Sequence, residues 1–297
     1  MTTYQQLIDK SRMWLMTSTS DRINVLQADI NSSVTIIQLQ YSLKGIDNGS
    51  RIAIGTEEMF VLEVSGVTPG SNVTVIRGFE GSTAAAHTTG DIVRINPQFS
   101  DFRILTALNE CITSLSSDGM FRAKTEEFTY IPSQAGYQLA NTDVIDILSV
   151  RYDTPGPNNN WPMIPAQMWE FNSLANTTDF PSGHSLVLKM GGHPGFPIRV
   201  TYKANYTIST TLSDDVLTAT GLFLSAHDIP PMGAAIRLNM GRDIKRTFLN
   251  RQPEPRRQDE VPPNSAQGAI QTLTALYYRA IEREIKYLHR LYPTQIS

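Results

Sequence analysis

The spacing of apolar residues switches between helical and strand-like along this chain, and this alternation constrains the fold most. Residues 4–16 carry Leu7, Trp14 and Leu15 at helical spacing. Residues 22–95 hold short β-branched runs separated by turn residues, which is typical of a small barrel or sandwich. The first third of the chain therefore predicts one helix followed by a small β-module.

The same alternation repeats in the rest of the chain. Residues 98–117 return to helical spacing and are followed by Gly119, where a left-handed cap is usual. Residues 121–210 hold strand candidates between loops rich in Pro, Gly and Asn, which is the profile of a β-sandwich. Residues 231–250 and 265–291 again show helical spacing.

These elements predict an α+β fold with a four-helix bundle core. Each long helix has one apolar face that needs a partner, and packing the four together is the simplest solution. The two β-rich modules, one barrel-like and one sandwich-like, are then insertions between bundle helices. The predicted segments are a bundle helix at 1–21, a small β-barrel-like insertion at 22–96, a bundle helix at 97–120, a β-sandwich-like insertion at 121–211, and C-terminal helices with a partner-docking segment at 212–297.

The composition favours a subunit that hides surface against neighbours. Charged residues make up 18% of the chain, against about a quarter in an ordinary soluble domain. A β-rich chain would show the same deficit. The net charge of -3 and pI near 6.0 are unlike a basic nucleic-acid binder, although a lumen that only lets DNA pass need not be basic. We expect neither a membrane span nor a secretory leader, because no apolar run or basic leader pattern fits either.

The reactive side chains are scattered rather than clustered. The single cysteine, Cys111, lies in an apolar helical pattern, which predicts a buried side chain and assembly in a reducing cytosol. Two acidic pairs, Asp143 with Asp146 and Asp214 with Asp215, lack the oxygen density of a calcium site. We interpret them as loop carboxylates or helix caps.

Motifs of enzyme chemistry are missing from the sequence. It contains no nucleophile elbow, phosphate loop or dinucleotide-binding pattern. His184 and His193 flank one strand candidate, so a shared site is an alternative to ordinary loop histidines. We expect no catalytic, cofactor-binding or metal-binding residues, no cofactor and no enzymatic activity.

Two surface features could bind a partner. Basic residues are densest between Arg242 and Arg257 and alternate with acids, which indicates either a solvated helix face or an interface of charge pairs. The aromatic residues Tyr152, Trp161, Trp169 and Phe171 surround a loop rich in Pro and Asn. They either fill the core of the second β-module, which we favour, or anchor a partner.

Two stretches resemble known families. Residues 54–66 (Ile-Gly-Thr-Glu-Glu-Met onward), 73–87 (ending Arg-Gly-Phe-Glu-Gly-Ser-Thr-Ala-Ala-Ala-His) and 90–93 are similar to a segment that recurs in virion proteins of tailed phages. Ser82 stands where threonine is frequent in that segment. Residues 234–293 resemble the C-terminal part of head-to-tail connector, or adaptor, proteins of long-tailed phages.

The resemblance implies a ring, expected to be dodecameric, between the phage portal protein and the next neck, tail-terminator or tail protein. It implies a virion protein assembled in the host cytoplasm, with a channel through which genomic DNA passes without sequence-specific binding. Residues 251–297 would dock on the portal. The expected interface residues, toward the portal or a neighbouring subunit, are Arg242, Lys245, Arg246, Arg251, Arg256, Arg257, Glu260 and Tyr292.

Two other functions stay open at this point. A tail or baseplate structural protein could carry the same strand motif, but such subunits are mostly β, whereas four amphipathic helices are predicted here. A carbohydrate-binding or depolymerising tail protein is supported only by the Trp- and Asn-rich loop at 155–172. That class usually shows a long parallel β-repeat and paired carboxylates, which the sequence lacks.

Overall fold

The structure is a computed structural model that describes residues 1–15, 21–134, 136–153, 161–189, 191, 194–249 and 265–293. Its α-helices are α1 (Tyr4–Leu15), α2 (Asp101–Leu115), α3 (Val216–Thr220), α4 (Ile229–Leu249) and α5 (Ser265–Leu291). The strands are β1 (Arg22–Val25), β2 (Ile36–Gln38), β3 (Arg51–Ile54), β4 (Glu57–Val64), β5 (Asn72–Ile76), β6 (Ile92–Ile95), β7 (Arg122–Thr129), β8 (Gly136–Gln138), β9 (Val144–Tyr152), β10 (Trp169–Asn172), β11 (Ser185–Leu188) and β12 (Pro197–Ala204).

The chain forms two compact units that alternate along the sequence. Unit 1 comprises Met1–Cys111, Ser209–Val216 and His227–Tyr277. Unit 2 comprises Ile112–Ile208, Leu217–Ala226 and Tyr278–Ser297.

Unit 1 contains a curled, six-stranded antiparallel sheet in the order β1-β6-β3-β4-β5-β2. Alternate residues point to its concave side, where the buried aliphatic side chains of strands and connecting loops form one core. The two edge strands meet at one place, the bridge between Leu26 and Leu39. Gln27 N donates to Gln38 O and Gln40 N donates to Val25 O there, both at 2.9 Å. The sheet is therefore a half-barrel whose edges are joined at a single point.

Apolar packing and a buried arginine that pairs with two carboxylates fix the helices of unit 1. Helix α1 packs against α4 through buried residues that include Leu7 and Ile8. Near the end of α1, the guanidinium of Arg12 donates to the carboxylate of Asp101, the first residue of α2. Arg12 Nη1 also lies 3.6 Å from Asp21 Oδ2. Both carboxylates and the guanidinium are almost fully buried, so the pair ties the start of α2 to α1.

Unit 2 contains two three-stranded antiparallel sheets that share one core. Their orders are β10-β11-β8 and β7-β12-β9. The ring of Phe128 in one sheet stacks on that of Tyr137 in the other, with centroids 4.4 Å apart. Residues 162–164 cover part of the outer flank of β9, since Tyr152 N donates to Pro162 O and Ile164 N donates to Val150 O. The end of α5 packs on Phe121, the residue before β7, whose ring centroid lies 6.3 Å from those of His289 and Tyr292.

The predicted four-helix bundle core is wrong. The described part of the chain is β-rich, and each β-module is built around its own core of buried side chains. The prediction assumed that an apolar helix face must be covered by another helix. A loop or strand covers it equally well, as Phe121 does for the end of α5.

Candidate functional site

Glu57 is the centre of a hydrogen-bonded network in unit 1. It is the first residue of β4, and its side chain is 1% exposed. Its carboxylate accepts hydrogen bonds from Arg77 Nε at 2.6 Å and from Arg77 Nη2 at 2.8 Å. The ring nitrogen Nε2 of His87 lies 2.8 Å from Oε2 of Glu57. Three residues of the phage-like segment thus meet at one carboxylate.

Backbone groups complete the network. The amides of Gly78 and Ala85 donate to the Glu57 carboxylate at 3.2 and 3.0 Å. Arg77 also donates to the backbone carbonyls of Asn31, Val34 and Ala85, at 2.8, 2.7 and 2.6 Å. The network therefore holds the loop at 78–87 and the loop at 31–34 against the start of β4.

The electrostatics of the network keep Glu57 ionised. Burial alone raises the pKa of this carboxyl, but hydrogen bonds from Arg77, His87 and the Ala85 amide outweigh burial and lower the pKa from 4.5 to about 2. A group with that pKa exchanges no proton near neutral pH, where a general acid or base needs a matched value. The arrangement is suited to hold the backbone in place.

The turn inside the segment explains its glycines and its hydroxyl residue. Gly78 has φ +61°, and a Cβ at this position would lie 3.0 Å from the carbonyl oxygen of Ser82. Only glycine combines a positive φ with such a close approach of another backbone group without strain. The hydroxyl of Ser82 accepts from Glu58 N at 2.9 Å and lies 2.9 Å from Phe79 O. Threonine carries the same hydroxyl, so the exchange at 82 preserves this contact.

A second group of charges links the same turn to α2. Glu58 is buried and accepts a hydrogen bond from the hydroxyl of Ser100, just before α2. The guanidinium of Arg103 in α2 donates to Glu80 in the turn, and Arg51 lies 3.1 Å from the same carboxylate. The Arg103 hydrogen bond lowers the pKa of Glu80. The segment is thereby anchored to a helix as well as to the sheet.

The convex side of the sheet exposes an apolar surface, which we name the outer patch (Ile36, Phe60, Leu62 and Ile76). Ile36 pairs with Thr74 and Ile76 pairs with Phe60, so residues of three adjacent strands share this face. Ile36 is 51% exposed, Leu62 46% and Ile76 45%. Grouped apolar exposure of this kind is a common mark of a protein interface.

Most of the predicted interface residues lie outside what the structure describes. Arg242, Lys245 and Arg246 are on the second half of α4, and their side chains are outside the described residues. Arg251, Arg256, Arg257 and Glu260 fall wholly outside them. Tyr292 is described, and its ring packs edge-on to Phe121 rather than standing free. The charge-pair interface therefore stays a prediction.

The aromatic cluster of unit 2 is engaged inside the unit. Tyr152, Trp169 and Phe171 pack against the core, which confirms the favoured core-filling interpretation for these three. The guanidinium of Arg199 lies over the ring of Trp161, 3.9 Å from its centroid. That contact occupies one face of the ring, and a sugar would need such a face for stacking.

The scattered reactive residues remain apart in the structure. Cys111 is buried, with Sγ 3.5 Å from the hydroxyl of Tyr277, as its apolar pattern predicted. His184 Nε2 lies 3.1 Å from Thr142 O, and His193 is outside the described residues. Within the described ranges, no three His, Cys, Asp or Glu residues group as metal ligands would. Nor does any described helix have the length and apolar character to cross a membrane.

Comparisons with known proteins identify no family for this chain. No family model matches it, and no curated protein matches it. One similar solved structure, cAMP bound PfPKA-R (141-441), is 10% identical and covers 68% of this chain and 80% of its own length, with a TM-score of 0.14. A TM-score that low carries no argument about fold or ligand.

Proposed function

We propose that this chain is a structural protein of a tailed-phage virion and that it acts as a head-to-tail connector. Copies form a ring between the portal and the next neck or tail component, and genomic DNA passes through the central channel. A head-to-tail contact whose rotation closes makes such a ring from one kind of subunit.

One observation carries the proposal. Four distinctive residues of the phage-like segment, Glu57, Arg77, Gly78 and His87, belong to one hydrogen-bonded network. Ser82 holds the same turn through the backbone of Glu58 and Phe79. Each therefore has a structural reason to be the residue it is. The resemblance thus includes the residues that hold one particular turn in place. An accidental similarity would not need to include those residues together.

The outer patch supports an assembly role. Ile76 pairs with Phe60, and the centroids of the Phe60 and Phe79 rings are 5.1 Å apart. Burying such a surface against a neighbouring copy removes apolar area from water, at roughly 25 cal/mol for each Å². The mixed charges between Arg242 and Glu260 remain the proposed contact with the portal, because alternating charges set register and partner choice.

A tail or baseplate structural protein is the second candidate. Those subunits are mostly β, and the β-rich fold favours this placement more than the predicted helical core did. Both candidates are supported by the phage-like segment. They differ in the virion component that the chain binds, which is the portal for a connector and the tail for the second candidate.

The experiment is to mix the purified full chain with portal rings of its own phage and to image the products by electron microscopy. A ring stacked on the portal with matching symmetry is the expected result. Incorporation into isolated tails without any portal binding would replace the connector with the second candidate. Binding to neither component would overturn both.

A matched pair of variants tests the portal contact. Replacing Arg251, Arg256 and Arg257 with glutamate is expected to abolish portal binding. The control replaces Arg279, Arg283 and Arg290, three exposed arginines of α5, in the same way. Equal loss of binding in both variants would show a general charge effect and reject the assigned interface.

A further inference from the structure

Strand β7 of unit 2 has a free edge. It is 8 residues long and pairs with β12 on one side only, with no register shift. Tyr130 N donates to Phe196 O, and Ile131 N, one residue later, donates to the hydroxyl of Tyr137 on the other side. Backbone groups alternate in direction along an antiparallel strand, so the amides and carbonyls of the even-numbered residues of β7 point toward β12. Those of the odd-numbered residues point away from β12.

The outward backbone groups are those of Ala123, Thr125, Glu127 and Thr129. Among the described residues, none of these amides or carbonyls makes a hydrogen bond beyond the strand. The side chains of Thr125, Glu127 and Thr129 are exposed. An edge of this kind is a template for pairing with another strand unless charge, proline or a bulge blocks it.

The charges of β7 suit one particular partner strand. Its first half carries Arg122 and Lys124, and its second half carries Glu126 and Glu127. A strand that is basic first and acidic second is complementary to a reversed copy of itself. The charges of one β7 therefore attract those of a second β7 in an antiparallel arrangement and would repel them in a parallel one.

We infer that β7 pairs antiparallel with β7 of a second copy of this chain, with Thr125 opposite itself. In this register each Lys124 lies opposite Glu126 of the other copy, and no like charges are opposite each other. Shifting the register by one step either way while keeping outward groups paired places Lys124 opposite itself or Glu126 opposite itself. The two sheets then join into one continuous six-stranded sheet across a two-fold axis.

This pairing is separate from the proposed connector ring. A two-fold contact joins identical surfaces, whereas a closed ring needs two different surfaces on each copy. The inference therefore holds or fails whatever becomes of the portal experiment.

Cysteine cross-linking tests the register in the full-length protein. In the inferred pairing, Thr125→Cys places two cysteines with Cα atoms about 5.5 Å apart, within the range of a disulfide. The matched control, Thr129→Cys on the same exposed edge, places them about 26 Å apart. Native Cys111 is buried and does not compete. We expect a covalent dimer from Thr125→Cys under mild oxidation and none from Thr129→Cys.

Sedimentation of the unmodified protein gives the second measurement. The expected mass at high concentration is twice the 33.0 kDa of one chain. Lys124→Glu places carboxylates opposite Glu126 twice and should weaken dimerisation about tenfold or more. A mass of one chain at every concentration would overturn the inference. So would a dimer that Lys124→Glu leaves intact or that both cysteine variants cross-link equally.

Discussion

Arg77 and Glu57 form a bidentate pair at the start of β4, with Nε to Oε1 at 2.6 Å and Nη2 to Oε2 at 2.8 Å. Both side chains are nearly enclosed, at 6% and 1% exposure. The planar guanidinium matches the carboxylate at two points, which a lysine could not do. The pair thus fixes both the direction and the distance between the start of β4 and the turn at 78–87, which follows β5.

Glu57→Gln should destabilise the protein by about 3–5 kcal/mol, because it leaves the Arg77 guanidinium buried without its counter-charge. The free energy of unfolding, measured by urea denaturation, checks this. Glu63→Gln, at an exposed position of the same strand, is the control and should change the free energy by less than about 0.5 kcal/mol. Equal effects of the two substitutions would mean that the buried pair contributes nothing special.

Acid should unfold the protein partly through Glu57. The folded pKa of about 2 lies below the ordinary value of 4.5, so the ionised carboxylate stabilises the fold above pH 4.5. That contribution is lost as the pH falls from about 4.5 towards 2. We expect the free energy of unfolding to decline over this window in the wild type and in Glu63→Gln. Glu57→Gln should lack this part of the decline, and an unchanged pH dependence would contradict the assignment.

A third prediction concerns Gly233, at the contact between α4 and α2 in unit 1. A Cβ at this position would lie 2.3 Å from Cys111 Sγ and 3.0 Å from Cε2 of Tyr277. Gly233→Ala should therefore cost about 1–3 kcal/mol through overpacking, although alanine is the better helix former. The melting temperature or urea midpoint measures it.

The cause can be isolated in a double-mutant cycle. Cys111→Ala removes the obstructing sulfur, so Gly233→Ala should cost much less in that background. Gly268→Ala on α5, where nothing lies within 4 Å of the added Cβ, should be neutral or slightly stabilising. If the two substitutions at 111 and 233 proved additive, the sulfur contact would not be the source of the cost.

The separate elements of the fold were predictable because each depends on local spacing. The pattern at 4–16 predicted α1, observed as Tyr4–Leu15, and the pattern at 265–291 matches α5. Gly119, where the sequence predicts a left-handed cap, has a φ of +96°. The spacing of apolar residues shows which face of an element is apolar, and predicting a single helix requires no further information.

The arrangement of the elements was not predictable in the same way. An apolar helix face does not identify its partner, and the helical core was therefore wrong. The roles of Arg12 and Glu57 were also missed, because each depends on a residue far along the chain, Asp101 and Arg77. For Glu57 a signal existed, since the residues quoted for the phage-like segment include this glutamate together with Arg77 and His87. Arg12 offered only its place on the apolar stripe of the helix, four residues after Ile8 and three before Leu15.

The order of strands in the half-barrel sets when it can be completed. Strand β1 pairs with β6, so all of residues 26–91 must be made before the first strand finds its neighbour. During synthesis β3, β4 and β5 can already form consecutive hairpins, whereas β1 has only the bridge from Leu26 to Leu39 at its end. Pairing across such a long stretch is slow relative to local hairpins. That interval is the stage at which the exposed strands of this sheet are most vulnerable to mispairing.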